Sequence, residues 1–172
     1  VAPLADESSK DDNAAIAPVR VVDRKTRVLL VAGQPSWDYR AVRKLLYRDP
    51  TIDLSSWQQA AAANPGQDGN TILDAFPGDA QGLAGYDAIL LFDPDPDKIA
   101  SSWWPILKTH VEETGAGLLY RAGPAFTPPN LRGAALPEAL STLLPVEADP
   151  NAATDLAGIR NYDRPWKVKI PP

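Results

Sequence analysis

The sequence predicts an α/β fold in which a mostly parallel, twisted sheet is flanked by helices. Short apolar segments at 28–32, 87–92 and 117–122 are typical of strands buried on both faces of a sheet. Segments with helical periodicity lie between them. This alternation of strand and helix favours parallel crossover connections over hairpins.

The strongest local signal is a strand–helix–strand unit that begins at Thr26. The apolar strand at 28–32 is interrupted by Gly33-Gln34-Pro35, and Ser36 is a suitable N-cap for a helix that ends before Pro50. A second strand is predicted at 52–57. The predicted apolar stripe of the helix comprises Trp37, Ala41, Val42, Leu45 and Leu46.

The following segments extend this pattern. We expect Ile72, Leu73 and Phe76 to supply a short helical turn within the Ala- and Gly-rich stretch 58–85. A helix capped by Ser102 and stopped by Gly115 would accommodate Pro105 in its first turn. A further helix is predicted at 136–144.

Three segments are expected along the chain. Residues 1–24 are predicted to be a linker or an edge strand, and residues 25–148 to form the α/β domain. Residues 149–172 are a tail whose alternating segment 166–170 indicates an edge strand or the start of another module. Because the chain lacks methionine even at position 1, we expect it to be a piece of a longer polypeptide.

Composition limits the possible partners. A net charge of −5 argues against a nucleic-acid or anionic-membrane partner. No apolar run approaches the ~18 residues of a membrane span. Cysteine is absent, which excludes disulfides, thiolate nucleophiles and thiolate metal sites.

Candidate ligand-binding residues lie in three loops that should meet at the carboxyl ends of the strands. The acidic loop at 93–97 has two interpretations: its carboxylates cap the next helix, or they form a cation or ligand site. The interleaved prolines favour capping, and we predict no metal and no cofactor. The candidate residues are Gln34, Trp37, Asp38, Arg40, Asp93, Asp95, Asp97 and Gly123.

The sequence predicts no catalytic residue. The loop after the first strand has one glycine and lacks the GxGxxG and GxxxxGK[ST] phosphate-binding patterns. His110, the single histidine, lies on an apolar helix stripe, and no GxSxG elbow accompanies it. We expect His110, Trp103 and Trp104 to be packing residues, and Asp38/Arg40 and Arg48/Asp49 to pair locally, with a buried Asp38–arginine link across the loop as an alternative.

Three stretches together resemble class I glutamine amidotransferase-like domains: RVLLVAGQPSWDYRAVRKLLYRDP, FPGDAQGLAGYDAILLFDPDPD and GAGLLYRAGP. The resemblance covers roughly 27–146. It is nearest to the degenerate domains of large bacterial membrane-associated proteins, which often carry von Willebrand factor A-type domains. It implies a flavodoxin-like three-layer α/β/α sandwich, and a bacterial, cell-envelope location conferred by the parent protein.

The resemblance also implies where an active enzyme would hold its nucleophilic cysteine, namely the turn after the strand at 117–122. Here that turn reads Ala122-Gly123-Pro124-Ala125, and no His-x-Glu follows it. The expected function is therefore a catalytically inactive module that contacts other domains of its parent chain or protein partners. The alternative is a small-molecule-binding or hydrolytic domain that uses the acidic loop.

Overall fold

The computed structural model describes residues 24–61, 69–127 and 136–145, and it confirms the predicted fold class. Four strands form one all-parallel sheet in the order β2-β1-β3-β4, with helices on both faces, as in a flavodoxin-like α/β sandwich. The strands are β1 (Thr26–Ala32), β2 (Ile52–Gln58), β3 (Ala88–Phe92) and β4 (Gly117–Arg121).

β1 lies between β2 and β3, in the position that its continuous apolar run predicts. Residues 28–32 are all buried, because each face of the strand is covered by a separate core. Val28, Leu30 and Ala32 point to one face, and Leu29 and Val31 point to the other. β4 pairs only with β3 among the described residues, and its Leu119 is half exposed.

The helices divide between the two faces. One face is covered by α1, and the other by α2, α3 and α4. The helix bounds are α1 (Trp37–Arg48), α2 (Ala80–Leu83), α3 (Trp103–Thr114) and α4 (Glu138–Leu143), with a 3-10 helix at Pro96–Lys98. No helix of the described residues is both long and apolar enough to cross a membrane.

The predicted packing stripe of α1 is partly wrong. Tyr39 is buried against the sheet, and Val42 and Leu46 are half buried beside it. Three residues assigned to the same stripe are instead exposed: Trp37 is 78% and Leu45 70% exposed, and Ala41 is exposed as well. The packing face follows the spacing i, i+3, i+7 from Tyr39, so the helix is rotated relative to the predicted stripe. The N-cap is confirmed, since the Tyr39 N–H donates to Ser36 Oγ at 3.1 Å.

The segment before β3 joins the core through aromatic contacts. Leu73 and Phe76 pack against the core, but residues 71–77 form no helix, so the predicted helical turn is wrong. The ring of Phe76 lies 5.2 Å from that of Trp103, and the Trp103 indole donates to the Pro77 carbonyl at 2.8 Å. Trp103 and Trp104 are both buried, which confirms that they are packing residues.

The ends of α3 match the predicted boundaries. Gly115 takes a left-handed conformation with φ of 72°, as expected for a C-terminal stop. Ser102 occupies the N-cap position, but its side chain makes no capping hydrogen bond, so that part of the prediction is wrong. The linker or edge strand predicted at 1–24 lies, apart from Arg24, outside the described residues, as does the predicted edge strand at 166–170.

Candidate functional site

The loops after β1, β3 and β4 meet at the carboxyl edge of the sheet, as predicted. The Gly33 N–H, after β1, donates to the Phe92 carbonyl at 3.1 Å. The Asp93 N–H, after β3, donates to the Arg121 carbonyl at 2.8 Å. Helices leave on opposite faces after β1 and β3, and open α/β sheets commonly bind ligands at such a point.

The carboxylate of Asp93 holds the loop that follows β4. It accepts hydrogen bonds from the backbone N–H groups of Ala125 (2.9 Å), Phe126 (3.2 Å) and Thr127 (2.8 Å). The Thr127 hydroxyl also donates to Asp93 Oδ1 at 2.7 Å. Both carboxylate oxygens are therefore engaged by donors from a segment more than thirty residues away in the chain. We call Asp93 and residues 123–127 the edge clamp.

Backbone geometry and close packing shape the edge clamp. Asp93 has φ of 42°, and no other non-glycine residue in the described ranges has positive φ. Asp tolerates this left-handed conformation better than most residues do. Close packing also requires two glycines: a Cβ at Gly33 would collide with the Asp93 carbonyl, and one at Gly123 would lie 2.5 Å from the Asp93 carboxylate. The three loops are therefore closely packed against one another at the carboxyl edge.

The ionisation of Asp93 is set by opposing effects. Burial disfavours the charged carboxylate and acts to raise its pKa. Hydrogen bonds from the Thr127 hydroxyl and from the amides of residues 125–127 outweigh burial, so the pKa lies below its ordinary value. The charge is stabilised entirely by neutral donors. A carboxylate with a lowered pKa is a weak base, which makes Asp93 poorly suited to general base catalysis.

Of the other two acids in the loop, Asp95 caps the segment that leads into α3. Asp95 accepts from the Asp97 N–H at 3.1 Å, as the N-cap of the 3-10 helix, and Asp97 is exposed in its first turn. The Gln59 side chain makes two hydrogen bonds with the backbone of Asp95: it donates to the carbonyl at 2.9 Å and accepts from the N–H at 2.8 Å. Asp93 and Asp95 thus serve separate structural positions, in accord with the capping interpretation.

The candidates on the first loop are dispersed. Asp38 pairs with Arg121 across the edge, which agrees with the predicted arginine link except that both side chains are partly exposed. Pairing of Asp38 with Arg40 is wrong: the Arg40 guanidinium lies 6.0 Å from the Trp37 ring instead. Gln34 is exposed.

The second predicted local pair is also absent. Asp49 does not pair with Arg48 but accepts from both the amide and the hydroxyl of Thr51, at 2.9 and 2.6 Å. These bonds close the turn between α1 and β2. They leave the Arg48 side chain exposed at the end of α1.

The single histidine lies away from the edge clamp. His110 is buried on α3, with Nε2 3.0 Å from the Tyr86 carbonyl, just before the amino end of β3. This confirms His110 as a packed residue. Within 24–61, 69–127 and 136–145, no group of three or more His, Asp or Glu side chains is arranged to hold a metal.

Sequence reasoning missed two residues that organise the edge. Thr127 donates to Asp93, accepts from the Gly123 N–H at 3.2 Å, and lies 3.0 Å from the Tyr120 hydroxyl. Its signal was Thr followed by Pro128 and Pro129, a common start of a helix. Gln59, directly after β2, carried no comparable signal, because its partners are backbone atoms 36 residues away.

Comparison with protein-family models, curated proteins and solved structures found no match to this chain. The amidotransferase resemblance therefore rests on the three sequence stretches alone.

Proposed function

We propose that this chain is a catalytically silent glutamine amidotransferase-like domain that serves as an interaction or structural module of a larger bacterial cell-envelope protein. One observation carries the proposal: the turn after β4 is occupied by the edge clamp. The resemblance assigns the nucleophile to this turn. Here the turn contains Gly123, whose Cα faces the Asp93 carboxylate so closely that a side chain does not fit.

The chemistry of amide hydrolysis supports a silent site. An amidotransferase forms a covalent acyl intermediate on a thiolate that a neighbouring base activates. The chain has no cysteine, and His110 lies near the opposite end of β3. Thr127, which follows this turn, is 5% exposed, and its hydroxyl donates a hydrogen bond to Asp93. A substrate carbonyl could not reach it without opening the clamp.

The hydrolytic alternative has weaker support. Such a site needs several carboxylates directed at one centre with their lone pairs free. The oxygens of Asp93 already accept bonds from residues 125–127, Asp95 caps the 3-10 helix, and Asp38 pairs with Arg121. Each of these three carboxylates has a structural partner of its own, and Asp97 is exposed.

The proposed partners are other domains of the parent chain or separate proteins, and the cell-envelope location follows from the sequence resemblance. A domain without chemistry at its carboxyl edge acts through its surfaces. Exposed large apolar side chains on a folded domain are candidates for such contacts, and among the described residues Trp37 and Leu45 on α1 are the most exposed of them.

Ammonia release from glutamine tests the proposal. Purified protein should release no ammonia above background, and Thr127→Ala should behave like the wild type. Thr127→Ala distinguishes ammonia release by this domain from release by a contaminating glutaminase, because only release by this domain can depend on the Thr127 hydroxyl. Ammonia release that follows the protein through successive columns and falls in Thr127→Ala would refute a silent domain.

A further inference from the structure

The outward face of α1 combines aromatic, aliphatic and basic side chains. We define the α1 outer face by residues that are all exposed: Trp37, Arg40, Ala41, Lys44, Leu45 and Arg48. Trp37, Ala41 and Leu45 follow one another at spacing i, i+4, i+8, so they form a single ridge along the helix. The remaining three place positive charges beside this ridge.

The exposure of this ridge has no explanation within the described domain. Tyr39, Val42 and Leu46 already supply the apolar contacts of α1 with the sheet. Trp37 is 78% exposed, although tryptophan is usually well buried. Tryptophan and arginine are also the residues most enriched among those that dominate binding energy at protein interfaces.

The basic residues are available to a partner. In the described part of the chain, ion pairs join Arg24 to Asp87, Lys108 to Glu112 and Arg121 to Asp38, and none involves Arg40, Lys44 or Arg48. The whole chain has a net charge of −5, so this face is a local positive patch on an acidic protein. Long-range attraction to a polyanion or an anionic bilayer is therefore weak, whereas short-range pairing with a discrete acidic segment is favoured.

The shape of the ridge indicates a helical partner. Ala41, a small residue, lies about one helical turn from each of the larger Trp37 and Leu45 in this ridge. A helix can approach closely where a small residue interrupts a ridge, with its own apolar side chains on either side. The whole face extends over three turns, about 16 Å from residue 37 to residue 48.

We propose that the α1 outer face binds an acidic amphipathic helix, with its apolar side chains across Trp37, Ala41 and Leu45 and its carboxylates against the flanking basic residues. This assignment deepens the proposed function and rests on it, because it names the surface and the partner chemistry of an interaction module.

The test uses synthetic peptides with fluorescent labels and the whole 172-residue chain. The probe is an 18-residue helix with Leu at i, i+4 spacing and Glu at the flanking positions. One control peptide has the same composition in scrambled order, and another replaces every Glu by Lys. Anisotropy should show saturable binding of the acidic amphipathic peptide and at least tenfold weaker binding of both controls.

Variants locate the binding. Trp37→Ala should weaken binding at least tenfold, as expected for an interface hot spot, while Leu119→Ala, a half-exposed apolar residue on β4, should not change it. Lys44→Glu should shift preference toward the Lys peptide, while Lys108→Glu on α3 should not. Circular dichroism would check that each variant is folded.

Several outcomes would overturn the inference: no binding, equal binding of the scrambled or Lys peptide, or binding unaffected by Trp37→Ala. Stronger Trp37-dependent binding to vesicles of phosphatidylglycerol than to the peptide would also overturn it in favour of a membrane contact. The ammonia assay separates this failure from that of the proposed function. Ammonia release that follows the protein through purification and falls in Thr127→Ala refutes the silent domain whatever the peptides do, and absent peptide binding without such release refutes only this partner.

Discussion

The two ends of β3 each carry an aspartate, and each carboxylate joins the strand to a neighbouring segment by different physical means. Asp87, directly before the strand, accepts two hydrogen bonds at 2.6 Å from the Arg24 guanidinium and one at 2.9 Å from the Arg27 N–H. Asp93, directly after the strand, is buried and accepts only from neutral donors of the edge clamp. Both have lowered pKa values.

The two ends of β3 differ in how strongly each depends on its carboxylate. At Asp87 the largest cause of the lowered pKa is the bond from Arg24, whose side chain is 56% exposed, and solvent can replace such a partner. At Asp93 loss of the carboxylate would leave the partly buried N–H groups of Ala125 and Phe126 and the buried N–H of Thr127 without this acceptor. We therefore expect the carboxyl end to be more sensitive to mutation than the amino end, because three amides and one hydroxyl converge on a single buried carboxylate there.

The largest expected effect is that of Asp93→Ala. The variant leaves the amides of residues 125–127 without an acceptor, and it places alanine at positive φ. We expect the free energy of unfolding to fall by about 3 kcal/mol. Urea denaturation would measure it, with Asp97→Ala in the same loop as the matched control, expected to lie within about 0.5 kcal/mol of the wild type. A loss below about 1 kcal/mol in Asp93→Ala would mean that the clamp contributes little to stability.

Acid should weaken both ends. The folded-state pKa of Asp87 is about 2, and that of Asp93 is also lowered. An aspartate in the unfolded chain has a pKa of about 3.9. The unfolded chain therefore binds more protons as pH falls through this window, so stability is complete above about pH 5 and declines between about pH 4 and pH 2. Because Arg24 is exposed, we expect Asp87 to account for about 1 kcal/mol or less of the decline.

Thermal unfolding from pH 2 to pH 6 would measure this decline. Replacing Asp87 by Asn should make the melting temperature depend less on pH in the lower part of this window. There Asp87 is protonated in the unfolded chain but still charged in the folded wild-type protein. A wild-type curve that stays flat from pH 5 to pH 2 would show that neither carboxylate is held in its charged form by folding.

The smallest expected effect is that of Asp87→Asn at neutral pH. It should cost about 0.2–1 kcal/mol at low ionic strength, and less in 1 M NaCl, where charges are screened within about 3 Å. The effect of Asp93→Ala should change little with salt, since neutral donors and burial produce it. Urea titrations of both variants at two salt concentrations would compare them. Equal salt sensitivity of the two variants would remove the distinction between the ends.

Sequence reasoning predicted the helices and strands more accurately than the side-chain contacts between them. The run at 28–32 predicted a central buried strand because only a strand covered on both faces requires unbroken apolar residues. The face of α1 was misassigned because hydrophobicity ranks Trp37 and Leu45 above Tyr39, whereas the buried position went to the tyrosine. The loops were expected to meet, because parallel strands end at one edge.

The edge clamp itself was beyond prediction. Asp93 accepts hydrogen bonds from residues more than thirty positions away in the chain. The direction of its side chain also depends on a left-handed backbone conformation, which no pattern in the sequence predicts. The alternation of aspartate and proline at 93–97 does not predict that Asp93 is buried while Asp97 is exposed. Burial of that one depends on the neighbouring strand, β4, and its loop.

Amide hydrogen exchange at residues 125–127, followed by NMR, tests most directly whether Asp93 closes the carboxyl edge. The Ala125, Phe126 and Thr127 amides should exchange slowly in the wild-type protein and in Asp87→Asn, and much faster in Asp93→Asn, with β1 amides protected in all three. Fast exchange of the three amides in the folded wild-type protein would contradict a closed edge and would reopen it as a ligand site.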